Sequence, residues 1–139
     1  MLFRSAERPR SAPVSVLLDT SALIAHEQRG AEVEWEGPTM VSAVTVGELA
    51  LGAAIARDPD VRAVRSHTLH RVVDRLRVLD IDTGVGRRYG EIMATQRRRG
   101  RRPGVQDVLI AATALEHDLP LLTQDVGFLA FDGLDVVLV

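Results

Sequence analysis

The segment Val14-Ser15-Val16-Leu17-Leu18 carries no charge, and it ends abruptly at Asp19-Thr20-Ser21. A short apolar run without polar–apolar alternation has the pattern of a strand buried on both faces. Burial on both faces needs cover on both faces, and the chain supplies it by alternating strand-like with helix-like segments. The expected strands are Val14–Leu18, Thr39–Val41, Val78–Leu79 with Ile81, Leu119–Thr123 and Asp135–Val139. Helical patterns fall over Ala22–Gln28, from a Ser42 cap to about Arg57, from Asp58-Pro59 to about Arg75, and over Thr83–Arg98 and Gln106–His117. Asp19 or Thr20 can cap the first of these, and Pro59 suits a helix start. In the last, Val108, Ala111, Ala112 and Leu115 follow the i, i+3, i+4, i+7 spacing of one buried stripe. Such alternation implies parallel βαβ crossovers. The expected fold class is therefore α/β, a three-layer α/β/α sandwich around a central, mainly parallel sheet.

A chain of 139 residues accommodates one domain with a real core. The expected division is a flexible N-terminal extension over residues 1–13 and a single domain over residues 14–139. The extension, MLFRSAERPRSAP, contains Arg and Pro and lacks the apolar stretch of a signal peptide. No apolar run approaches the roughly 20 residues that cross a bilayer. These features point to a cytoplasmic protein with no membrane partner. There is no cysteine, so disulfides and thiolate metal sites are excluded and any metal must rest on oxygen or imidazole. All 17 basic residues are arginine, which gives the surface bidentate phosphate-binding capacity even if GC-rich coding caused the bias.

The acidic residues fall in a pattern. Ligands of open parallel sheets sit beyond the carboxyl ends of the strands. Asp19 directly follows the first strand, and Asp125 lies two residues beyond Leu121-Leu122-Thr123, so both point to one edge. Asp107 opens the most apolar helix, where an acid also complements the helix dipole by about 0.3–1 kcal/mol. Glu48 sits inside Val44-Thr45-Val46-Gly47-Glu48-Leu49-Ala50-Leu51, where the polar side of an amphipathic helix is the plain alternative. Four carboxylates about 5 Å apart repel by about 3 kcal/mol per pair at an effective dielectric near 20. Such a cluster persists by protonation or by binding cations. An all-oxygen site suits Mg²⁺, with Mn²⁺ as a substitute, and phosphodiester hydrolysis is the matching chemistry. The net charge of −2 does not oppose an anionic substrate, because the chain outside four such acids is net positive.

Four stretches in order resemble the PIN-domain family, and within it the VapC-type toxins of toxin–antitoxin pairs. They are Leu18–Ile24 (LDTSALI), Val46–Gly52 (VGELALG), Gln106–Leu115 (QDVLIAATAL) and Leu119–Asp125 (LPLLTQD), and the resemblance covers Val14 to Val139. It implies a PIN-like fold and cleavage of RNA as a divalent-metal-dependent endoribonuclease, usually with Mg²⁺. Asp19, Glu48 and Asp107 match the family's three most characteristic acids, and Asp125 a more variable fourth. Many relatives carry an Asp-Phe pair a little further on; Gly127-Phe128 stands there in this chain. Ser21 and Thr123 match hydroxyl positions that support the pocket. The resemblance also implies a homodimer and a short VapB-like antitoxin inserting near the acids.

The RRRGRR segment of residues 97–102 precedes Asp107 closely. Arg97, Arg98, Arg99, Arg101 and Arg102 can hold RNA phosphates, dock an acidic antitoxin segment, or simply pair with nearby acids. His26, His67, His70 and His117 show no metal-ligand pattern with a carboxylate, and Trp35 reads as a packing residue. Gly84 and Gly86 form no complete phosphate-binding fingerprint. Three alternatives stay open: a housekeeping PIN nuclease of RNA maturation, a phosphatase with Asp19 as nucleophile, and a non-catalytic RNA-binding module. The phosphatase would want a second Asp at position 21, where Ser21 stands.

Overall fold

The computed structural model describes residues 14–29 and 35–139, so the expected extension over residues 1–13 lies outside the described residues. Five strands, β1 Val16–Leu18, β2 Thr39–Ser42, β3 Arg77–Leu79, β4 Leu121–Thr123 and β5 Val136–Leu138, form one sheet in the order β3-β2-β1-β4-β5. Every pairing is parallel, so the sheet is wholly rather than mainly parallel. Among the described residues, the α-helices are α1 Thr20–Arg29, α2 Ala43–Ile55, α3 Pro59–Arg75, α4 Thr83–Arg98 and α5 Val105–Glu116.

Strand starts are set by proline. Val16 N–H donates to the Pro38 carbonyl and Leu17 N–H to the Pro120 carbonyl. Neither proline has an N–H to return, so the ladders on both sides of β1 open one residue later, at Thr39 and Leu121. This trims Val14 and Ser15 from the expected first strand. Leu119 is also lost from the fourth, because its N–H donates back to the Ala114 carbonyl and Asp118, at φ 51°, closes α5. Ile81 lies outside β3 and is exposed.

Caps set the helices. Ser42 Oγ accepts from Val44 N at 3.1 Å and starts α2. Asp58 Oδ1 accepts from Asp60 N and Val61 N, with Pro59 in the first turn of α3. α2 ends at Ile55, two residues before the expected Arg57, where the Arg62 guanidinium takes the Ala56 carbonyl at 2.6 and 3.0 Å.

The side chains of each strand alternate between two cores. Leu17, Leu79, Leu121 and Val136 pack with Met93 of α4 and Val108, Ile110, Ala111 and Ala114 of α5. Val16, Leu18, Val41, Leu122 and Val137 face the other way, onto Leu23 of α1, Leu49 of α2 and Val72 of α3. The sandwich therefore has the three expected layers. From β1 the chain advances to β2 and β3 with helices on one face, then returns to β4 and β5 with cover on the other, as right-handed crossovers require. The reversal lies between β1 and β4, and that is where such sheets open a crevice. Among the described residues, no helix is long and apolar enough to cross a membrane.

The crossover from β4 to β5 contains a 3-10 turn, Val126–Ala130, that the apolar pattern did not indicate. It exists to bury Phe128, which is 1% exposed and meets Phe131 edge-on with ring centroids 5.9 Å apart. Phe128→Ala is expected to cost about 3–5 kcal/mol of stability. A lowered urea midpoint at unchanged slope would show it.

Candidate active site

Asp19 directly follows β1 and is 5% exposed. A buried carboxylate must find donors nearby. Its Oδ1 accepts from Thr20 N at 2.8 Å, and its Oδ2 accepts from Ser21 Oγ and Thr123 Oγ1, both at 2.7 Å. Each hydroxyl in turn accepts from the backbone beyond β4: Gln124 N donates to Ser21 Oγ at 3.1 Å, and Asp125 N donates to Thr123 Oγ1 at 3.0 Å. The end of β1 and the end of β4 are thereby tied through one carboxylate, across the point where the sheet reverses. Ser21 and Thr123, expected as pocket supports, stand in contact with Asp19. Oδ2 has both acceptor sites filled, and Oδ1 keeps one free.

Glu48 projects from the middle of α2 and is half-buried. Its Oε1 accepts from Thr20 Oγ1 at 2.9 Å, which brings it beside Asp19. Burial raises the Glu48 carboxyl above its ordinary range; the Thr20 hydrogen bond lowers it in part, and the charges of Asp19 and Asp107 raise it again. Asp107 lies in the first turn of α5, whose start no side chain caps. Its carboxyl is also raised, first by burial and then by the charges of Asp19 and Asp125. Asp125 is exposed; its Oδ1 accepts from Gly127 N at 2.8 Å and caps the 3-10 turn. Asp19 thus bears on both Glu48 and Asp107, Asp107 also on Glu48, and Asp125 on Asp107.

That donor set is all oxygen and negatively charged, and it fits a hard divalent cation. Among the described residues, no three acidic or imidazole side chains are gathered tightly enough to ligate one ion by themselves. An ion that keeps several of its waters, as Mg²⁺ does, tolerates such a loose ring.

The arginine segment behaves unevenly. Arg88 Nε lies 3.4 Å from Glu116, so α4 and α5 run antiparallel and residues 99–104 turn at the end that carries Asp107. Gly100, at φ 74°, makes the turn possible. Arg99 is withdrawn into a bidentate pair with Asp132 at 2.6 and 3.0 Å, and that hydrogen bond holds the Asp132 carboxyl below its usual range. Arg98 reaches Thr95 Oγ1 at 3.3 Å. Arg97, Arg101 and Arg102 are exposed. On the other side of Glu48, a groove of about 520 Å³ runs between α1, α2 and α3, with Ile24, Leu49, Val61 and Val64 among its walls.

Thr20 is the functional-site residue that sequence reasoning left as a mere capping candidate. Its signal was its place between Asp19 and Ser21; its partner, 28 residues away, was not readable.

Known proteins resemble this chain in sequence and fold. The PIN domain family description matches residues 16–134. Ribonuclease VapC5 of Mycobacterium tuberculosis is 36% identical over 125 residues, spanning 88% of this chain and 92% of that protein. Ribonuclease VapC4 of the same organism is 35% identical over 127 residues, spanning 87% and 94%. The crystal structure of VapBC-5 from Mycobacterium tuberculosis, a member of the VapBC family of toxin–antitoxin systems, superposes with a TM-score of 0.79 at 32% identity, covering 91% of this chain and all of that one.

A raised carboxyl means that the folded chain keeps its proton to a higher pH than the unfolded chain. Glu48 and Asp107 therefore favour folding most below the usual carboxylate range, and that contribution is lost as pH rises through their raised values. Glu48→Gln and Asp107→Asn are expected to stabilise the protein in EDTA at pH 7, with the gain shrinking towards about pH 4. Urea midpoints at the two pH values measure it, and destabilisation at pH 7 would contradict the electrostatic account.

Proposed function

The chain belongs to the PIN-domain family, in its VapC branch, and from that premise we propose that it is a divalent-metal-dependent endoribonuclease serving as the toxin of a VapBC-like pair. The observation that carries this reading is Asp19, buried at the reversal of the sheet and gripped by three donors, with Glu48, Asp107 and Asp125 acting on the same space.

In this reading Asp19 and Asp107 would hold the ion, Mg²⁺ or Mn²⁺, and Glu48 and Asp125 would hold it directly or through water. A bound divalent ion supplies a water of lowered pKa and offsets charge on the phosphate and on the leaving 3′ oxygen. Ser21 and Thr123 keep Asp19 from swinging, so its free Oδ1 site stays aimed into the crevice. Glu48 or Asp125 takes the proton of the attacking water. Arg97, Arg101 and Arg102 contact RNA phosphates without choosing sequence, while Arg99 serves the fold through Asp132. The phosphatase alternative fits poorly, because three of the four acceptor sites of Asp19 are already taken by hydrogen-bond donors.

The VapBC-5 structure that this chain resembles is a member of a toxin–antitoxin family, and we assign a VapB-like partner to this chain as well. The groove beside Glu48, with exposed Ile24, Val61 and Val64, is the surface we give that partner, and a homodimer is the expected assembly.

Purified protein is expected to cut single-stranded RNA internally with Mg²⁺ and to stop in EDTA. Asp19→Ala and Asp107→Ala are each expected to abolish cleavage while circular dichroism still reports a folded chain. Cleavage that survives EDTA, or full activity in either variant, would contradict the assignment.

A further inference from the structure

Three of the four acids sit at element ends, where the backbone itself fixes them. Glu48 differs, since it hangs from the middle of α2 on a flexible side chain. Something must hold it towards Asp19. We propose that Thr20 is the positioning residue that does so, a hydroxyl clamp that sets Glu48 against Asp19. The proposal rests on the reading of these acids as a metal pocket.

Thr20 faces both carboxylates at once. Its backbone N–H donates to Asp19 Oδ1 at 2.8 Å, and its Oγ1 donates to Glu48 Oε1 at 2.9 Å. The same Oγ1 stands 3.2 Å from Thr45 Oγ1. Thr45 and Glu48 are one turn apart on one face of α2, so the Thr20 side chain plugs the notch between them. Thr20 is 8% exposed and Thr45 fully buried, so water does not compete freely for this hydroxyl. Oε1 accepts this bond at one of its two acceptor sites, so both Glu48 oxygens keep a site for the pocket while the clamp fixes their direction. A donor placed between two like charges also reduces the repulsion that would otherwise turn Glu48 outward, towards the groove it lines. Ser21 and Thr123 fix Asp19 by a separate set of contacts. Of these three hydroxyl residues, Thr20 is the one whose side chain donates to a second carboxylate.

The same geometry has a plain alternative, in which the Thr20 methyl merely fills space. Valine keeps that volume and removes the hydroxyl, whereas serine does the reverse. Mn²⁺ binding to the full chain, without RNA, is to be titrated by electron paramagnetic resonance for wild type, Thr20→Val and Thr20→Ser. The valine variant is expected to bind on the order of 10–100-fold more weakly, as loss of a partner that orients a ligand commonly does. The serine variant is expected to restore wild-type affinity. In a Glu48→Ala background, Thr20→Val is expected to add no further loss, because the clamp then has nothing to hold. Thr20→Ala, which cannot clash, repeats the comparison should valine disturb folding. Unchanged affinity in Thr20→Val and Thr20→Ala overturns the proposal, and so does an equal loss with and without Glu48. A wild-type chain that takes up no Mn²⁺ overturns the metal-pocket reading itself, and this proposal with it.

Discussion

The Asp19 carboxylate is buried where two halves of the sheet diverge, and its donors come from both sides of that divide. Thr20 and Ser21 open α1 directly after β1, and Thr123 ends β4. A charge so placed is costly to bury unless its acceptors are filled, so the register of β1 against β4 and the position of this carboxylate stabilise each other. The shift of one residue in that pairing would turn Thr123 to the opposite core and leave Oδ2 short of a donor. Fold and pocket therefore share their central hydrogen bonds.

Around that fixed point the remaining acids are held more loosely. Asp107 and Asp125 arrive at the starts of helical segments, where backbone N–H groups favour a negative charge. Glu48 has no such support and depends on Thr20. The carboxyls of Glu48 and Asp107 are raised first by burial and then by the neighbouring negative charge, the second of which a cation would relieve. In the proposed metal pocket, function and stability pull in opposite directions at these two positions.

The layer order and the edge that carries the acids were legible in the sequence, because uncharged runs ending in Asp19 and just before Asp125 obey a rule of topology rather than of local propensity. Helix starts at Ser42 and Asp58 were legible for a local reason too, since each cap and the amides it serves lie within three residues. What stayed hidden depends on partners distant in sequence. Pro38 and Pro120 trim β1 only because β2 and β4 flank it. The 3-10 turn forms to seat Phe128 in a core assembled from α4, α5 and the sheet. Arg99 looked equivalent to its neighbours until Asp132, 33 residues on, claimed it. The role of Thr20 was hidden in the same way, behind a contact to α2.

Manganese soaked into crystals of the full chain, located by anomalous scattering, would test the account at its centre. The expected result is a peak bounded by Asp19 and Asp107, at about 2.0–2.2 Å from Asp19 Oδ1, with Ser21 and Thr123 still bonded to Oδ2. A peak remote from Asp19, or one bound through Oδ2 with those hydroxyls displaced, would contradict it.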